Sequence, residues 1–302
     1  MVVEPAVAGD ALESVRTDVD EALRGYLEAC ASHLGDIDTH APLLVEEISR
    51  LVFAGGKRLR PAFCVWGYRA AGPSTAGLQA GEPIVRAAAA LELLHTMALI
   101  HDDLMDGATE RRGMPASATQ LAGEALGRGF PVDVDRFGGA AALLTGDLAA
   151  VLADRLFLTS GFDAAAVTRA LAPYHEMRLE MAAGQLLDIA GLASGPESAR
   201  RSARLKGGSY TVEGPLLVGA ALAGAPGEVR AALRAFGGPL GEAFQLRDDL
   251  LDREGAHGAT PATVNELVER ARTTLRDAVR ETPFDPGASA ALDALADLVT
   301  MS

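Results

Sequence analysis

Apolar residues recur at three- and four-residue steps along nearly the whole chain, and this periodicity restricts the possible folds more than any other feature. Leu12, Val15, Val19, Leu23, Tyr26 or Leu27, Cys30 and Leu34 follow it between two Gly-Asp turns, predicting an amphipathic helix with one buried face. Similar spacing predicts helices near 41–54, 59–72, 80–107, 138–160, 164–193, 196–206, 209–224, 227–236, 238–254, 261–281 and 287–300. Nowhere do apolar and polar residues alternate in a sustained way, as a half-buried strand requires. The expected architecture is all-α, a bundle of about a dozen helices. Of the 302 residues, 49% are hydrophobic, enough for one large core, and no Gly/Ser/Pro-rich linker or repeat divides them. One domain over 1–302 is therefore expected. Gly107 to Arg136 departs from the pattern, punctuated by Gly113, Pro115, Gly127, Gly129 and Pro131, and reads as a long loop of the kind that forms functional lids.

The net charge of −14 argues against nucleic acid, which needs a broad basic surface, and an anionic substrate would need a local cationic pocket. The first ten residues lack the basic start and apolar run of a secretion signal. The longest apolar stretch, Ala87 to Ile100, is interrupted by Glu92 and His95 and is shorter than the roughly 20 residues that span a bilayer, so a soluble protein is expected. Cys30 and Cys64 lie in apolar helical patterns and read as buried, reduced thiols, which fits the cytoplasm.

Two segments read DDxxD, Asp102, Asp103 and Asp106 in the first and Asp248, Asp249 and Asp252 in the second, each ending a strongly apolar helix. The first and last aspartates of each lie one helical turn apart on one face. Their charges repel, and the helix dipole already disfavours carboxylates at a C-terminus, so a cation is needed to offset them. Oxygen-only ligands suit Mg²⁺, which combines one or two carboxylates with substrate phosphates. As solvated helix ends two such clusters would be out of place; as half of a phosphate site they make sense.

The cationic half is also present. Lys57 and Lys206 are the only lysines beside 25 arginines, and both adjoin glycine. Lys57, Arg58 and Arg60 lie at a helix start, where backbone N–H groups favour a diphosphate, and Arg111 and Arg112 follow the first aspartate cluster. A metal bridging carboxylate and phosphate, with Lys and Arg holding a second phosphate, is equipment for ionising a diphosphate leaving group.

With these segments the chain resembles the trans-isoprenyl (polyprenyl) diphosphate synthases, geranylgeranyl diphosphate synthases among them, over nearly its whole length. The motifs are Gly-Gly-Lys-Arg-x-Arg-Pro at 55–61, Leu-Leu-His-Thr-x-x-Leu-Ile-His-Asp-Asp-x-x-Asp at 93–106, Arg-Arg-Gly-x-Pro at 111–115, Gly-Asp at 146–147, Gly-Gln-x-x-Asp at 184–188 and Phe-Gln-Leu-x-Asp-Asp-x-x-Asp at 244–252. The resemblance implies a helical bundle around a deep cavity, usually a homodimer. It also implies a Mg²⁺-dependent enzyme that ionises an allylic diphosphate, adds the isopentenyl double bond to the cation and loses a proton. Lys57, Arg60, His95 and Arg112 would bind isopentenyl diphosphate, and Arg111, Lys206 and Gln245 the allylic diphosphate. Asp102, Asp106 and Asp248 would hold Mg²⁺, with Asp103, Asp249 and Asp252 supporting them. Product length would be set near Met97 and Ala98, where the family often places an aromatic stop, and deeper by residues such as Leu91 or Leu94. Nothing aromatic stands at 97 or 98, so a product beyond fifteen carbons is expected, geranylgeranyl diphosphate first.

Two departures accompany the match. Gly207 stands where the family has Thr or Ser after the second lysine, so a hydroxyl is missing unless Ser209 or Thr211 replaces it. After Asp252 the family continues with a lysine-bearing loop and more helices, whereas residues 253–261 lead straight to what reads as the penultimate helix, through a deletion or an omitted segment. A class I terpene cyclase shares the fold and first cluster, but its Asn/Ser/Glu second metal motif is missing and it has no use for a second diphosphate site. A weak partner subunit of a synthase is the non-enzymatic alternative.

Overall fold

The computed structural model describes residues 5–71, 79–192, 195–251 and 260–300. The chain forms α1 (Pro5–Ile37), α2 (Pro42–Phe53), α3 (Leu59–Arg69), α4 (Pro83–Asp106), a hairpin of β1 (Glu110–Arg111) and β2 (Met114–Pro115), α5 (Ser117–Gly127), α6 (Val134–Leu158), α7 (Ala164–Ile189) and α8 (Pro196–Ala203). A π-helix (Arg204–Glu213), α9 (Gly214–Leu222), α10 (Gly227–Leu251), α11 (Pro261–Glu281) and α12 (Pro286–Thr300) complete it. The fold is all-α, as its periodicity requires.

Local chemistry sets many of the boundaries. Asp133 and Asp163 cap α6 and α7 by accepting from Arg136 N and Ala166 N, and Gly107, with φ 64°, closes α4 in the left-handed conformation. Two expected breaks do not occur. α1 runs through both Gly-Asp pairs, because burying Val15, Val19, Leu23 and Leu27 along one stripe outweighs about 1 kcal/mol per glycine. α10 likewise continues through Gly237 and Pro239. Its glycines are there for contact: a Cβ on Gly241 would stand 2.3 Å from the Gly208 carbonyl oxygen, so the π-helix and α10 cross backbone to backbone. The expected long loop at 107–136 instead holds the hairpin and α5; the turn residues flank an eleven-residue helix whose Leu121 and Ala125 are buried.

α4 is the central element. Ala87 to Leu91, Leu93 and Leu94 are essentially inaccessible, and the small residues Ala142, Gly146, Ala149 and Ala153 let α6 lie close against it. Among the described residues α4 is the one helix long and apolar enough to cross a membrane, and its apolar side chains are spent on the protein core. Cys30 and Cys64 are buried free thiols, as expected.

Candidate active site

The last turn of α4 and the hairpin that follows bring the first carboxylate cluster to its cations. Arg111 on β1 donates from Nε to Asp103 Oδ1 at 2.8 Å and from Nη2 to Asp102 Oδ2 at 3.2 Å. Lys206, in the π-helix, lies 3.3 Å from Asp102 and 2.6 Å from Asp188 of α7, and Gln185 donates to Asp102 at 3.0 Å. Asp102 thus receives three donors from three different elements. Burial opposes the Lys206 charge, but Asp188 and Asp102 outweigh it and raise its pKa. Burial and then the Asp102 charge push the Asp106 carboxyl up, the repulsion that the sequence spacing implies.

The arms of this site are held by a buried scaffold. Glu47, only 3% exposed, takes a two-pronged contact from Arg50 and a hydrogen bond from Ser117 at 2.6 Å, while Arg50 also donates to the Pro115 carbonyl. This anchors the hairpin carrying Arg111 and Arg112, the latter exposed with φ 53°. At the other arm Arg58, φ 52° and 4% exposed, donates to Asp20 at 2.6 Å, Glu92 at 2.9 Å and the Val52 carbonyl at 2.6 Å. Those bonds leave Lys57 exposed on the loop and put Arg60 at the start of α3, facing inward.

Arg60, His95 and Tyr210 form a second polar group. The Arg60 guanidinium lies 4.8 Å over the Tyr210 ring and donates to Thr211 Oγ1 at 2.7 Å; the His95 ring is 6.4 Å from Tyr210. Arg60 Nε, His95 Nδ1 and the Tyr210 hydroxyl are buried without hydrogen-bond partners among the described residues. Three such groups in one place are unusual in a core and fit a polar ligand that completes them. Burial, reinforced by Arg60 and Arg112, holds the His95 pKa well below the usual histidine value, so its imidazole is neutral.

Gln245 and Asp248 are partly buried on the last turns of α10, and Gln245 lies against Gly207, next to Lys206. The Asp249 side chain, Asp252 and the 253–259 segment lie outside the described residues. Both nearby hydroxyls have partners: Ser209 donates to Glu180 in a close contact, and Thr211 accepts from Arg60. Gly207 serves a different purpose, because a Cβ there would fall 1.6 Å from Gln245 Oε1. Gly207→Thr is therefore expected to push Gln245 aside and, at the allylic-diphosphate site that the resemblance implies, to raise KM about fivefold, the equivalent of one lost hydrogen bond of about 1 kcal/mol. An unchanged or lower KM in steady-state assays would show that Gln245 has no part in that site.

Several of these residues had only motif status in the sequence. The glycine of the Gly-Asp pair makes room for a ring, since a Cβ on Gly146 would be 2.2 Å from His101 Nε2, and Asp147 lies 3.7 Å from that atom. Gln185 and Asp188 are the polar residues of Gly-Gln-x-x-Asp, now placed on Asp102 and Lys206. Tyr210 and Glu47 carried no signal beyond helical periodicity. Met97 and Ala98 are half-buried one turn from the aspartates, whereas Leu91 and Leu94 are shut off in the core.

Known proteins arrange their helices the same way. The family model described as polyprenyl synthetase matches residues 41–261, and the chain belongs to that family. It is 33% identical over 204 residues to the geranylgeranyl diphosphate synthase of Methanosarcina mazei, an alignment covering 67% of this chain and 56% of that protein. It is 30% identical over 231 residues to the geranylfarnesyl diphosphate synthase of Aeropyrum pernix, covering 74% of this chain and 66% of the other. The alignments thus span less than two thirds of these relatives' length. The crystal structure of geranylgeranyl pyrophosphate synthase from Corynebacterium glutamicum, complexed with isoprenyl diphosphate and magnesium, superimposes with a TM-score of 0.82 at 27% identity, covering 96% of this chain and 99% of that one.

Proposed function

We propose that the protein is a trans-prenyltransferase that condenses an allylic diphosphate with isopentenyl diphosphate to give a longer polyprenyl diphosphate, geranylgeranyl diphosphate first. The observation that supports this best is the presence of two separate polar groups built around cations: Arg111 and Lys206 around Asp102, and buried Arg60 over Tyr210 beside neutral His95. A cyclase, with one diphosphate to bind, has no use for the second group.

The carboxylates fit Mg²⁺. Burial and the Asp102 charge push the Asp106 carboxyl up, a repulsion that a divalent cation held by one or two carboxylates and by phosphate oxygens would offset. Asp102, Asp106 and, from α10, Asp248 would hold it, with Asp103, Asp249 and Asp252 in support. Bound there, Mg²⁺ would neutralise charge developing on the departing diphosphate.

The chain's own residues do the remaining work. Arg111, Lys206 and Gln245 hold the allylic diphosphate, and Lys206, raised in pKa, stays charged throughout. Lys57, Arg60, Arg112 and neutral His95 orient isopentenyl diphosphate, so that its double bond faces the allylic carbon. The buried wall of α4 excludes water from the cation. A homodimer is the assembly we infer: Leu143, Leu144, Val151 and Leu158 form an exposed apolar stripe along α6, supporting burial against a second copy. The two free thiols support a reducing, cytoplasmic setting.

Incubation with Mg²⁺, isopentenyl diphosphate and, separately, five-, ten- and fifteen-carbon allylic diphosphates is expected to give products each longer by five-carbon units. Allylic substrate consumed with only cyclic or hydrolysed product would overturn the assignment. Ala98 lies one turn before Asp102 on the same face, so Met97→Phe or Ala98→Phe adds a ring to the wall there. The main product is expected to shorten by at least one five-carbon unit by mass; full activity with unchanged products in both variants would remove this turn from the path of the chain.

A further inference from the structure

Glu47 of α2 is a buried carboxylate with no part in the chemistry above, and its bonds lead to the segment that carries Arg112. Oε2 accepts from Arg50 Nε at 2.7 Å, and Oε1 accepts from both Arg50 Nη2 at 2.7 Å and the Ser117 hydroxyl at 2.6 Å. Ser117 is the first residue of α5, and a helix N-terminus favours a carboxylate nearby. Arg50 Nη2 also donates to the carbonyl of Pro115, the last residue of β2, at 3.0 Å. One buried charge thus joins α2 to the end of the hairpin and to the helix that follows it.

The hairpin needs that support. Glu110 pairs with Pro115 and Arg111 with Met114, and a two-stranded ribbon so short has little stability of its own. Its turn residues, Arg112 and Gly113, have φ of 53° and 76°, both positive as a type I′ turn requires. Asn is favoured at the first of these positions, and an arginine there persists only where the surrounding structure holds it. Arg111 has an anchor of its own in Asp102 and Asp103. The exposed Arg112 side chain has no hydrogen-bond or ion-pair partner among the described residues, so its place is set by the backbone that Glu47 and Arg50 hold. That place is close to the second polar group: burial, then Arg60 and Arg112, lower the His95 pKa.

α2 also ends at Phe53, directly before the loop that carries Lys57. Leu43 and Leu51 of α2 pack with Ile100 and Leu104 of α4 and Leu121 of α5 in a small core separate from the main one. A single helix therefore places Lys57 from its C-terminal end and Arg112 from its side. We propose that Glu47 is a positioning residue for isopentenyl diphosphate, fixing Arg112 relative to Lys57 without touching the substrate; the inference rests on the prenyl-transfer reading above. Glu47→Gln keeps the shape of the side chain but sets an NH₂ against one of its donors, Arg50 or Ser117. The contact loosens, and with it the hold of Arg50 on Pro115.

The test is steady-state kinetics on the full-length protein with Mg²⁺, isopentenyl diphosphate and the ten-carbon allylic diphosphate, beside a thermal melt. In Glu47→Gln the KM for isopentenyl diphosphate is expected to rise about tenfold, the scale of one charge-assisted hydrogen bond, with the allylic KM within about twofold of wild type. Arg112→Gln alone is expected to raise the same KM, and adding Glu47→Gln to it to raise that KM no further, since the group through which Glu47 acts is already gone. If Glu47→Gln does not fold, Ser117→Ala, which removes one of the three bonds, decides by the same comparison with an expected rise of about threefold. Equal rises in both KM values, an unchanged isopentenyl diphosphate KM, or full additivity with Arg112→Gln overturns the role of Glu47 while leaving prenyl transfer standing. A wild-type protein that does not consume isopentenyl diphosphate overturns both.

Discussion

Asp102→Ala is expected to lower kcat by at least about 10³-fold while leaving the melting temperature nearly unchanged. The loss follows from position: the carboxylate is the meeting point of Arg111, Lys206 and Gln185, and any ion bridging protein to diphosphate would have to use it. Removing one preorganised group that stabilises developing charge typically costs 10²–10³ in rate, and here a metal ligand goes with it. The fold survives because each cation keeps another partner, Arg111 on Asp103 and Lys206 on Asp188. Measured turnover at saturating Mg²⁺, beside a thermal melt, checks both halves. Near-wild-type turnover would show that the first cluster does not serve the leaving group.

Arg58→Ala is expected to have the largest effect on stability. Its guanidinium is buried with Glu92, whose side chain is 8% exposed, and truncation would leave that carboxylate in the core without its arginine. Breaking a buried pair in this way costs about 3–5 kcal/mol. For a chain of this size that lowers the melting temperature by about 6 °C or more, at ~2 °C per kcal/mol. Because Arg58 also ties the Lys57 loop to α1 and α4, the KM for isopentenyl diphosphate is expected to rise more than that for the allylic substrate. The double variant Arg58→Ala/Glu92→Gln, which removes the stranded charge, is expected to recover part of the stability in chemical denaturation. A shift below about 1 kcal/mol in the single variant would mean that Glu92 finds water or another donor.

The sequence shows the helices clearly where an apolar stripe is long. α2, α4, α6, α7 and α11 begin and end within a few residues of their expected bounds. It is least informative where a glycine marks a close approach rather than a turn. Gly237 looks like a break in α10, yet the missing side chains of Gly237 and Gly241 let the helix lie on Glu213 and Gly208 of the π-helix. Gly207 looks like a lost hydroxyl and is in fact space for Gln245. A single chain of residue types cannot separate these meanings, because both need only the absence of a Cβ.

The site divides in the same way. Asp102, Asp106, Lys206, Arg111 and Arg60 were legible because their chemistry is unusual for their surroundings: paired carboxylates at a helix end, and rare lysines next to glycine in an acidic chain. Glu47 and Tyr210 are not legible, since a polar residue inside a helical repeat reads as surface until a partner far along the chain is known. Glu47 meets Ser117 across 70 residues, and Arg60 meets Thr211 across 151.

In the proposed condensation each new carbon–carbon bond between the allylic and isopentenyl units releases one inorganic diphosphate, so diphosphate release reads the reaction itself. With Mg²⁺ and a ten-carbon allylic diphosphate, release is expected to be negligible until isopentenyl diphosphate is added, and then to match the isopentenyl diphosphate consumed one for one. Equal release with and without isopentenyl diphosphate would rule out condensation and place the protein among enzymes that ionise a single diphosphate.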